Sequence, residues 1–360
     1  MANELLEKIQ ALESAHEKDN GQGNTKALSE AYCNMGHYLA DSDPRTAVGY
    51  FEKAENIITQ LISQGVVCLE KERICAMHDA AAIALKHKAF GMVQDFLDKA
   101  VEYSQKWTER EASLDSLDAL YKSQDYYGKL GLAAGYPLDA IDHFIVAKDT
   151  ALRMIEMDEK NENARVNYVF VLSFLAEAES ATQNTDGAIA TYKSAIEFID
   201  TDNESSAKLL AAAINLNRKV GNILWKKGNI PDASTHLQNA ITISEKVILT
   251  DKSHDTMREA VLSFFSLGKF KAATGEQFGA TACYLKSCTL AQENADMHNT
   301  PQSKDDLAVA LCTYGEVTLN SKHISQAIEI WEELCGQYPN SNIYSQKRLY
   351  AIRALSKFSM

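Results

Sequence analysis

Cys75 and His78 are the residues of this sequence that come nearest to a metal-binding pair, since three positions on a helix bring two side chains onto one face. No second pair of ligands accompanies them, and the nine histidines do not cluster with acidic residues at ligand spacing. The acidic residues Glu156, Asp158 and Glu159 are typical of a solvated helix face rather than of an acid–base pair. We therefore interpret Cys75 as a packed thiol and His78 as a side chain at the edge of the core, and we predict no metal site.

Recognised catalytic and cofactor motifs are absent from the sequence. It contains no phosphate-binding loop, no HExxH, no GxSxG and no zinc-finger spacing. The seven cysteines include no Cys-x-x-Cys pair, and several fall on apolar positions of helices, as reduced thiols in a cytosolic protein do. These observations predict a non-enzymatic protein with no catalytic residue and no cofactor.

The bulk composition narrows the choice of partner. The chain has 360 residues, of which 46% are hydrophobic, and a net charge of −13, which repels nucleic-acid phosphates and anionic membrane surfaces. No apolar run approaches the roughly 18 residues that a membrane-spanning helix needs. The first twenty residues are amphipathic and mixed in charge, without the apolar core of a signal peptide. We expect a cytoplasmic protein that binds neither nucleic acid nor membrane.

A repeated pattern of residue sizes runs along the whole chain. A small residue (valine in one copy) is followed by a large apolar residue four positions later and by a small or apolar residue seven positions later, as on one face of a helix. The pattern occurs seven times, at successive spacings of 45 to 48 residues. Its copies are Ala47/Phe51/Ala54, Val93/Leu97/Ala100, Ala140/Phe144/Ala147, Ala188/Tyr192/Ala195, Ala233/Leu237/Ala240, Ala280/Tyr284/Ser287 and Ala327/Trp331/Leu334. Twelve residues before the first position, four copies carry Gly128, Gly221, Gly268 and Gly315.

Each copy of the pattern predicts a pair of helices joined by a turn. In the fifth copy, Gly221 lies in one apolar-periodic segment, residues 227 to 231 form a break that ends in Pro231, and Ala233 opens a second segment. The small residues stand where the two helices have to approach closely. The sequence therefore predicts a repeat array rather than several globular domains.

The array divides the chain into three parts. Residues 1 to 24 form an amino-terminal helix and linker, residues 25 to 340 form the repeats, and residues 341 to 360 form a carboxy-terminal capping helix. In that last helix we predict an inward face and an outward face from the apolar and basic residues. The inward residues are Leu349, Ile352 and Leu355, and the outward residues are Lys347, Arg348, Arg353 and Lys357.

Two copies of the pattern carry further residues of one known family. The last copy has Tyr314-Gly315, Ala327, Trp331 and Pro339, and the third has Tyr127-Gly128, Ala140, Phe144 and Ala147. On these residues the chain resembles a tetratricopeptide-repeat protein over about residues 26 to 358. Its repeat averages near 47 residues against ~34 in the family, so it resembles the long-helix variants, including the intracellular peptide sensors of the Rap type. The resemblance implies an all-α, right-handed α-solenoid of about seven helix pairs with terminal helices, whose first helices line a concave groove.

The resemblance also implies which residues face that groove. In the family, ligands contact first-helix residues that lie six and three before, and one and four after, the small position. The positions are Asn215, Arg218, Asn222 and Trp225 around Gly221, then Leu262, Phe265, Lys269 and Ala272 around Gly268, and Lys122, Asp125, Lys129 and Leu132 around Gly128. We assign ligand binding to Lys122, Lys129, Asn215, Arg218, Asn222, Trp225, Phe265 and Lys269. Cations, amides and aromatic rings that converge suit a peptide carboxylate or an acidic side chain with an apolar neighbour.

This set resembles half of the carboxylate clamp with which some family members hold an acidic peptide terminus. The positions of the other half are Ser266, Val309 and Thr313, which supply no cation. An alternative is that the polar residues only keep the exposed helix faces soluble, and that Trp225 packs between helices.

Three functions are compatible with these observations. The first is an adaptor that binds a protein or peptide in its groove without catalysis. The second is a regulator of the Rap type that changes shape when a signalling peptide binds. The third is a structural assembly subunit that uses its convex face, which exposed apolar residues on that face would favour. The sequence leaves the identity of the partner and the oligomeric state open.

Overall fold

The computed structural model describes residues 2–63, 69–87, 91, 93–199, 205–339 and 341–357. Over these residues the chain forms sixteen α-helices and no strand. The helices are α1 (Ala2–Lys18), α2 (Gln22–Leu39), α3 (Pro44–Ser63), α4 (Glu70–Lys86), α5 (Gln94–Arg110), α6 (Leu114–Ala134), α7 (Pro137–Met157), α8 (Glu162–Ala181), α9 (Thr185–Phe198), α10 (Ala207–Lys226), α11 (Ile230–Val247), α12 (His254–Ala273), α13 (Gln277–His298), α14 (Pro301–Thr318), α15 (Ser321–Gln337) and α16 (Asn342–Ser356). Helices α2 to α15 form seven pairs between two terminal helices, which confirms the predicted all-α helical-repeat fold.

The turn between α10 and α11 shows how the sequence ends one helix and begins the next. Gly228 has a φ of 80°, a left-handed conformation that costs glycine little. The side chain of Asn229 accepts a hydrogen bond from the backbone N–H of Asp232 and caps α11. Pro231 occupies the first turn of α11, where its missing N–H is not needed. The structure confirms a break between the two helices, but it spans residues 227 to 229, because α11 begins at Ile230.

Contact between a glycine and a large side chain recurs in the pairs. A Cβ atom on Gly36, Gly128, Gly221 or Gly268 would come within 2.6, 2.5, 2.7 or 2.9 Å of a side chain on the second helix of its pair. Those side chains are Phe51, Phe144, Leu237 and Tyr284. Each one is the large residue of the repeated pattern, so in these four pairs the pattern corresponds to a close helix crossing that leaves no room for a Cβ atom.

The last pair packs differently. A Cβ on Gly315 would meet Ile324, at 2.8 Å, rather than the large residue Trp331. Trp331 is buried, and its indole N–H donates a 2.9 Å hydrogen bond to Asp305 Oδ1 on α14. The polar atom of a buried indole requires an acceptor, and Asp305 provides it.

The chain divides into two compact units, Met1–Thr191 and Tyr192–Met360, called the amino-terminal and carboxy-terminal units below. Within the amino-terminal unit, α4 contacts α6, and α6 contacts α8. Within the carboxy-terminal unit, α10 contacts α12, and α12 contacts α14. The first helices of these successive pairs therefore lie side by side in each unit, which brings their exposed faces into one surface.

The capping helix α16 is oriented differently from the prediction. Leu349 and Ile352 are exposed, whereas the buried positions are Ala351 and Ala354. The prediction of an inward Leu349 and Ile352 was wrong because the closest approach to the preceding helices selects small residues. Leu355 is partly buried against the core, and Arg353 and Lys357 are exposed, as predicted.

Two basic residues of α16 predicted to point outward have acidic partners. Lys347 lies 2.6 Å from Asp305 Oδ2, and Arg348 lies 2.8 Å from Glu332 Oε1. Both partners belong to the preceding pair, α14 and α15. These ion pairs hold α16 on the last pair in addition to its two buried alanines.

The residues singled out for chemistry do not form a site. His78 is buried rather than at an edge, with Nε2 2.8 Å from Ser123 Oγ, and burial lowers its pKa to about 3. Cys75 is exposed on α4 rather than packed. Over the described ranges, no group of three or more His, Cys, Asp or Glu side chains is arranged to hold a metal ion. The six cysteines of those ranges are free thiols, and Cys68 lies outside them.

Candidate functional site

A pocket in the amino-terminal unit contains two of the predicted ligand-binding residues. It lies between α6 and α8, the first helices of the third and fourth pairs, and has a volume of about 400 Å³. Its lining is Tyr121, Lys122, Asp125, Tyr126 and Lys129 from α6, and Asn167, Phe170 and Phe174 from α8. The structure thus brings Lys122 and Lys129 together with four aromatic residues and one amide that were not predicted from the sequence, namely Tyr121, Tyr126, Phe170, Phe174 and Asn167.

The two lysines of this pocket differ in how firmly they are held. Each forms an ion pair with the aspartate four positions earlier, at 2.7 Å between Lys122 and Asp118 and at 2.5 Å between Lys129 and Asp125. The Lys122 side chain is 49% exposed and the Lys129 side chain 33%. Lys129 also places its ammonium 4.5 Å from the centre of the Phe174 ring, within the range of a cation–π contact. Lys122 is therefore the more available cation.

Asp125 lines the pocket and is buried. Its Oδ2 accepts from Lys129, whereas its Oδ1 is buried without a hydrogen-bond partner. Burial raises the pKa of Asp125, and the charge of Lys129 acts in the opposite direction. Lys129 is thus needed to keep a buried carboxylate paired, which makes it a structural cation as well as part of the lining.

The aromatic wall of the pocket is built from the repeat contacts. Phe174 stacks on Phe144 with ring centres 5.8 Å apart, and Phe144 in turn packs on Gly128. Phe170, one turn earlier on α8, is exposed at the pocket. Tyr121 donates a 3.1 Å hydrogen bond to the backbone oxygen of Asn167 and so ties α6 to α8. A ligand would meet a fixed wall and one accessible ring.

One residue of this wall, Phe170, could have been predicted from the sequence. The small residue of the fourth pair is Ala176, and the position six before it is Phe170. The rule that selected Lys122 from Gly128 therefore selects Phe170 when it is applied to this alanine. Asn167 and Phe174 lie nine and two positions before Ala176, outside the four positions of the rule, so only the structure shows that they line the pocket.

In the carboxy-terminal unit, the predicted cation Arg218 is already paired. Its guanidinium lies 3.0 Å from Glu259 Oε2, and both side chains are largely buried. Arg218 is on α10 and Glu259 on α12, so the pair links the first helices of the fifth and sixth pairs. Arg218 therefore fixes two helices and does not present an open cation.

The other predicted residues of this unit lie on α10 and α12. Lys269 is exposed, with its ammonium 5.9 Å from the centre of the Phe265 ring. Trp225 packs edge-on against Phe270 with ring centres 5.7 Å apart, which matches the alternative that it packs between helices. Asn215 and Asn222 are half-buried on α10. In this unit Lys269 is the exposed cation of the predicted set.

Comparison with known proteins finds structures with a similar fold but no similar sequence. No family model and no curated protein matches the sequence. The structure is similar to that of BtubC (BKLC) from P. vanneervenii, with a TM-score of 0.55 and 15% identity over 72% of this chain and 94% of that chain. It is similar to aspartyl phosphate phosphatase F from Bacillus subtilis, with a TM-score of 0.51 and 16% identity over 88% of this chain and 73% of that chain. The apo quorum sensor NprR from B. thuringiensis matches with a TM-score of 0.50 and 13% identity, over 98% of this chain and 97% of that chain.

These likenesses define the class of the protein by its fold. The chain has the fold of tetratricopeptide-type helical-repeat proteins, with which its helix pairs and recurrent glycine contacts agree. Within the part of the chain that the structure covers, no helix combines the length and hydropathy needed to cross a membrane.

Proposed function

We propose that this protein is a non-enzymatic adaptor that binds an acidic peptide segment on the first helices of its repeats, with the α6–α8 pocket as the anchor point. The observation that carries this proposal is the meeting of Lys122, Asn167 and Phe170 at one pocket of about 400 Å³. An ammonium, an amide and an accessible ring are the groups that recognise a carboxylate, a peptide bond and an apolar side chain.

Lys122 is the residue that would receive the ligand carboxylate. Its ion pair with Asp118 is exposed, and such pairs contribute only about 0–1 kcal/mol, so exchange of Asp118 for a ligand carboxylate costs little. Lys129 stays on Asp125, because releasing it would leave a buried carboxylate unpaired. The apolar neighbour in the ligand would then lie against Phe170 while the Asn167 side chain pairs with the peptide backbone.

The test is selection of ligands from a random peptide display library, followed by calorimetry with the selected peptides. We expect peptides that combine an acidic residue or a free carboxylate with an apolar neighbour. Lys122→Glu should weaken their binding by a factor of ten or more, on the order of 1.4 kcal/mol. A matched control is Lys106→Glu, because Lys106 is likewise paired with an acidic residue four positions earlier, on α5 and away from the pocket. Equal binding by the two variants would refute the proposal, as would a library that yields no acidic peptides.

A further inference from the structure

A second pocket lies on the first helices of the amino-terminal unit, between α2 and α4. It has a volume of about 210 Å³. Ile58, Leu69 and Ala76 line it, and each of these residues is at most 1% exposed. Cys33 of α2 and Cys75 of α4 also line it. The buried part of this lining is therefore mainly apolar.

Charged residues stand at the rim of the α2–α4 pocket and link the two helices. Lys26 Nζ lies 3.2 Å from Glu72 Oε1, and His37 Nε2 lies 3.3 Å from Asp79 Oδ2. On each helix the pocket cysteine lies between the two charged residues, so the ion pairs bracket the opening. Glu30 adds a further carboxylate to the lining. This rim repels an acidic group, so the chemistry of the pocket suits an apolar group instead.

The size of the pocket suits one large apolar side chain. A cavity of about 150 Å³ with apolar walls is enough to bind benzene. A pocket of about 210 Å³ therefore has room for the side chain of a phenylalanine, leucine or methionine. Burial of such a side chain strengthens binding by about tenfold or more.

The α2–α4 pocket is adjacent to the α6–α8 pocket. Tyr126, which lines the α6–α8 pocket, has its ring centre 5.5 Å from that of His78 on α4. Burial raises the pKa of the Cys75 thiol, and the nearby charge of Lys122 opposes that shift. Cys75 thus lies close to the cation that we assign to the ligand carboxylate. Helices α4 and α6 form the ridge between the two pockets.

We infer that the α2–α4 pocket binds a large apolar side chain of the same acidic peptide whose carboxylate pairs with Lys122, an inference that rests on the proposed function. Packed helices lie about 8–10 Å apart, so two gaps that are separated by α4 and α6 lie about 20 Å apart. An extended peptide rises about 3.3 Å per residue. The apolar residue of the ligand therefore lies about six residues from the acidic one.

Synthetic peptides with a common anchor test this inference by calorimetry on the full-length chain. Each peptide carries an aspartate followed by a leucine, in a background of serine and glycine, and the peptides differ in the position of one phenylalanine. A phenylalanine about six residues from the aspartate should strengthen binding about tenfold or more over the peptide with the anchor alone. A phenylalanine about two residues away cannot reach the α2–α4 pocket and should add little.

Substitutions of Cys75 show where the phenylalanine binds. Cys75→Phe places a ring in the opening and should abolish the gain from the phenylalanine, whereas Cys75→Ser keeps the pocket open and should retain it. Both variants should bind the anchor peptide as the wild type does, because Lys122 is unchanged. Cys75 is exposed, so the melting temperatures of the three proteins should agree.

The thiol of Cys75 also reports directly on the pocket. Among the six cysteines that the structure describes, Cys75 is the exposed one. Labelling with N-ethylmaleimide, followed by mass spectrometry of the separate cysteine peptides, measures its accessibility. The peptide with the distant phenylalanine should slow the labelling of Cys75 more than the anchor peptide does.

The possible failures distinguish this inference from the proposed function. If no anchor peptide binds, the proposed function is wrong and the inference fails with it. If the anchor peptide binds but a phenylalanine adds nothing at any position, the inference alone is wrong. A gain that survives Cys75→Phe, or equal labelling of Cys75 with both peptides, would also overturn it, because the phenylalanine would then bind elsewhere.

Discussion

The ring of Phe144 occupies the space into which any side chain at position 128 would extend, since a Cβ on Gly128 would come within 2.5 Å of that ring. The same ring stacks on Phe174 in the wall of the α6–α8 pocket. One glycine therefore determines both how closely α6 and α7 cross and where the pocket wall stands.

We predict that Gly128→Ala destabilises the protein even though alanine favours helix. The propensity gain is about 1 kcal/mol, whereas overpacking at a fixed ring costs about 1–3 kcal/mol and shifts Phe144. Gly49→Ala in α3 is the control, because a Cβ there meets no atom within 4 Å and should stabilise by about 0.5–1 kcal/mol. Urea unfolding of both variants measures the difference. A stabilising effect of Gly128→Ala would contradict this prediction, because it would mean that α6 and α7 can move apart at Phe144 without an energetic cost.

Substitutions of the two pocket lysines should differ in their effect on the free energy of unfolding. Lys129→Met leaves the buried Asp125 without its ion-pair partner and should cost about 1–3 kcal/mol. Lys122→Met removes an exposed pair and should change the free energy of unfolding by less than about 0.5 kcal/mol. Thermal and urea unfolding of the two variants gives the comparison. Equal effects would contradict the assignment of Lys129 as the structural cation and Lys122 as the available one.

The ion pair between Arg218 and Glu259 should show coupling in a double-mutant cycle. Arg218→Met leaves Glu259 largely buried without a partner and should cost about 1–3 kcal/mol, and Glu259→Met should cost a similar amount. The double variant should be closer to wild type than the sum of the two, because no charge is left unpaired. Additive losses would show that the two side chains do not interact in solution.

His78 should make the protein sensitive to acid. Its pKa in the folded state is about 3, well below the value of 6.5 for a free histidine, because burial disfavours the charged ring. Above pH 6.5 the residue is neutral in both states and contributes no pH dependence. Below pH 6.5 the unfolded state binds a proton that the folded state excludes, so stability falls as the pH falls toward 3.

The matched variant for this prediction is His78→Gln, which keeps a polar group near Ser123 but does not titrate. Between pH 6.5 and 4.5 the wild-type protein should lose about 2–3 kcal/mol of unfolding free energy relative to the variant. Parallel stability curves for the two proteins would refute the assignment of a neutral buried His78.

The repeat could be predicted from the sequence because it depends on residue size at fixed spacing. The small residues at Gly128 and Gly221 and the large ones that pack on them are local features of one hairpin, and the structure confirms them. The position of Arg218 in an ion pair could not be predicted in this way. Its partner Glu259 comes from the next pair, 41 residues later, and size patterns carry no information about it.

The candidate site was predicted only in part for the same reason. Lys122 and Lys129 lie on the same helix and were both selected by their distance in sequence from Gly128, and both line the α6–α8 pocket. Asn167 and Phe174 join them because α8 lies beside α6 at a particular rotation, which depends on tertiary packing. The exposed Leu349 of α16 illustrates the opposite error, since helical periodicity alone cannot show which apolar residue faces a neighbour.

The fit between each glycine and its large side chain constrains how the chain can change in length. Phe51, Phe144, Leu237 and Tyr284 each lie seven residues after the first residue of their helix. The interval from the glycine to that first residue is nine in three of these pairs and eight in the first. An insertion inside the second helix would turn the large side chain by about 100° away from its glycine. We therefore expect insertions and deletions to be tolerated best between the glycine and the start of the second helix, where the first pair differs from the others by one residue.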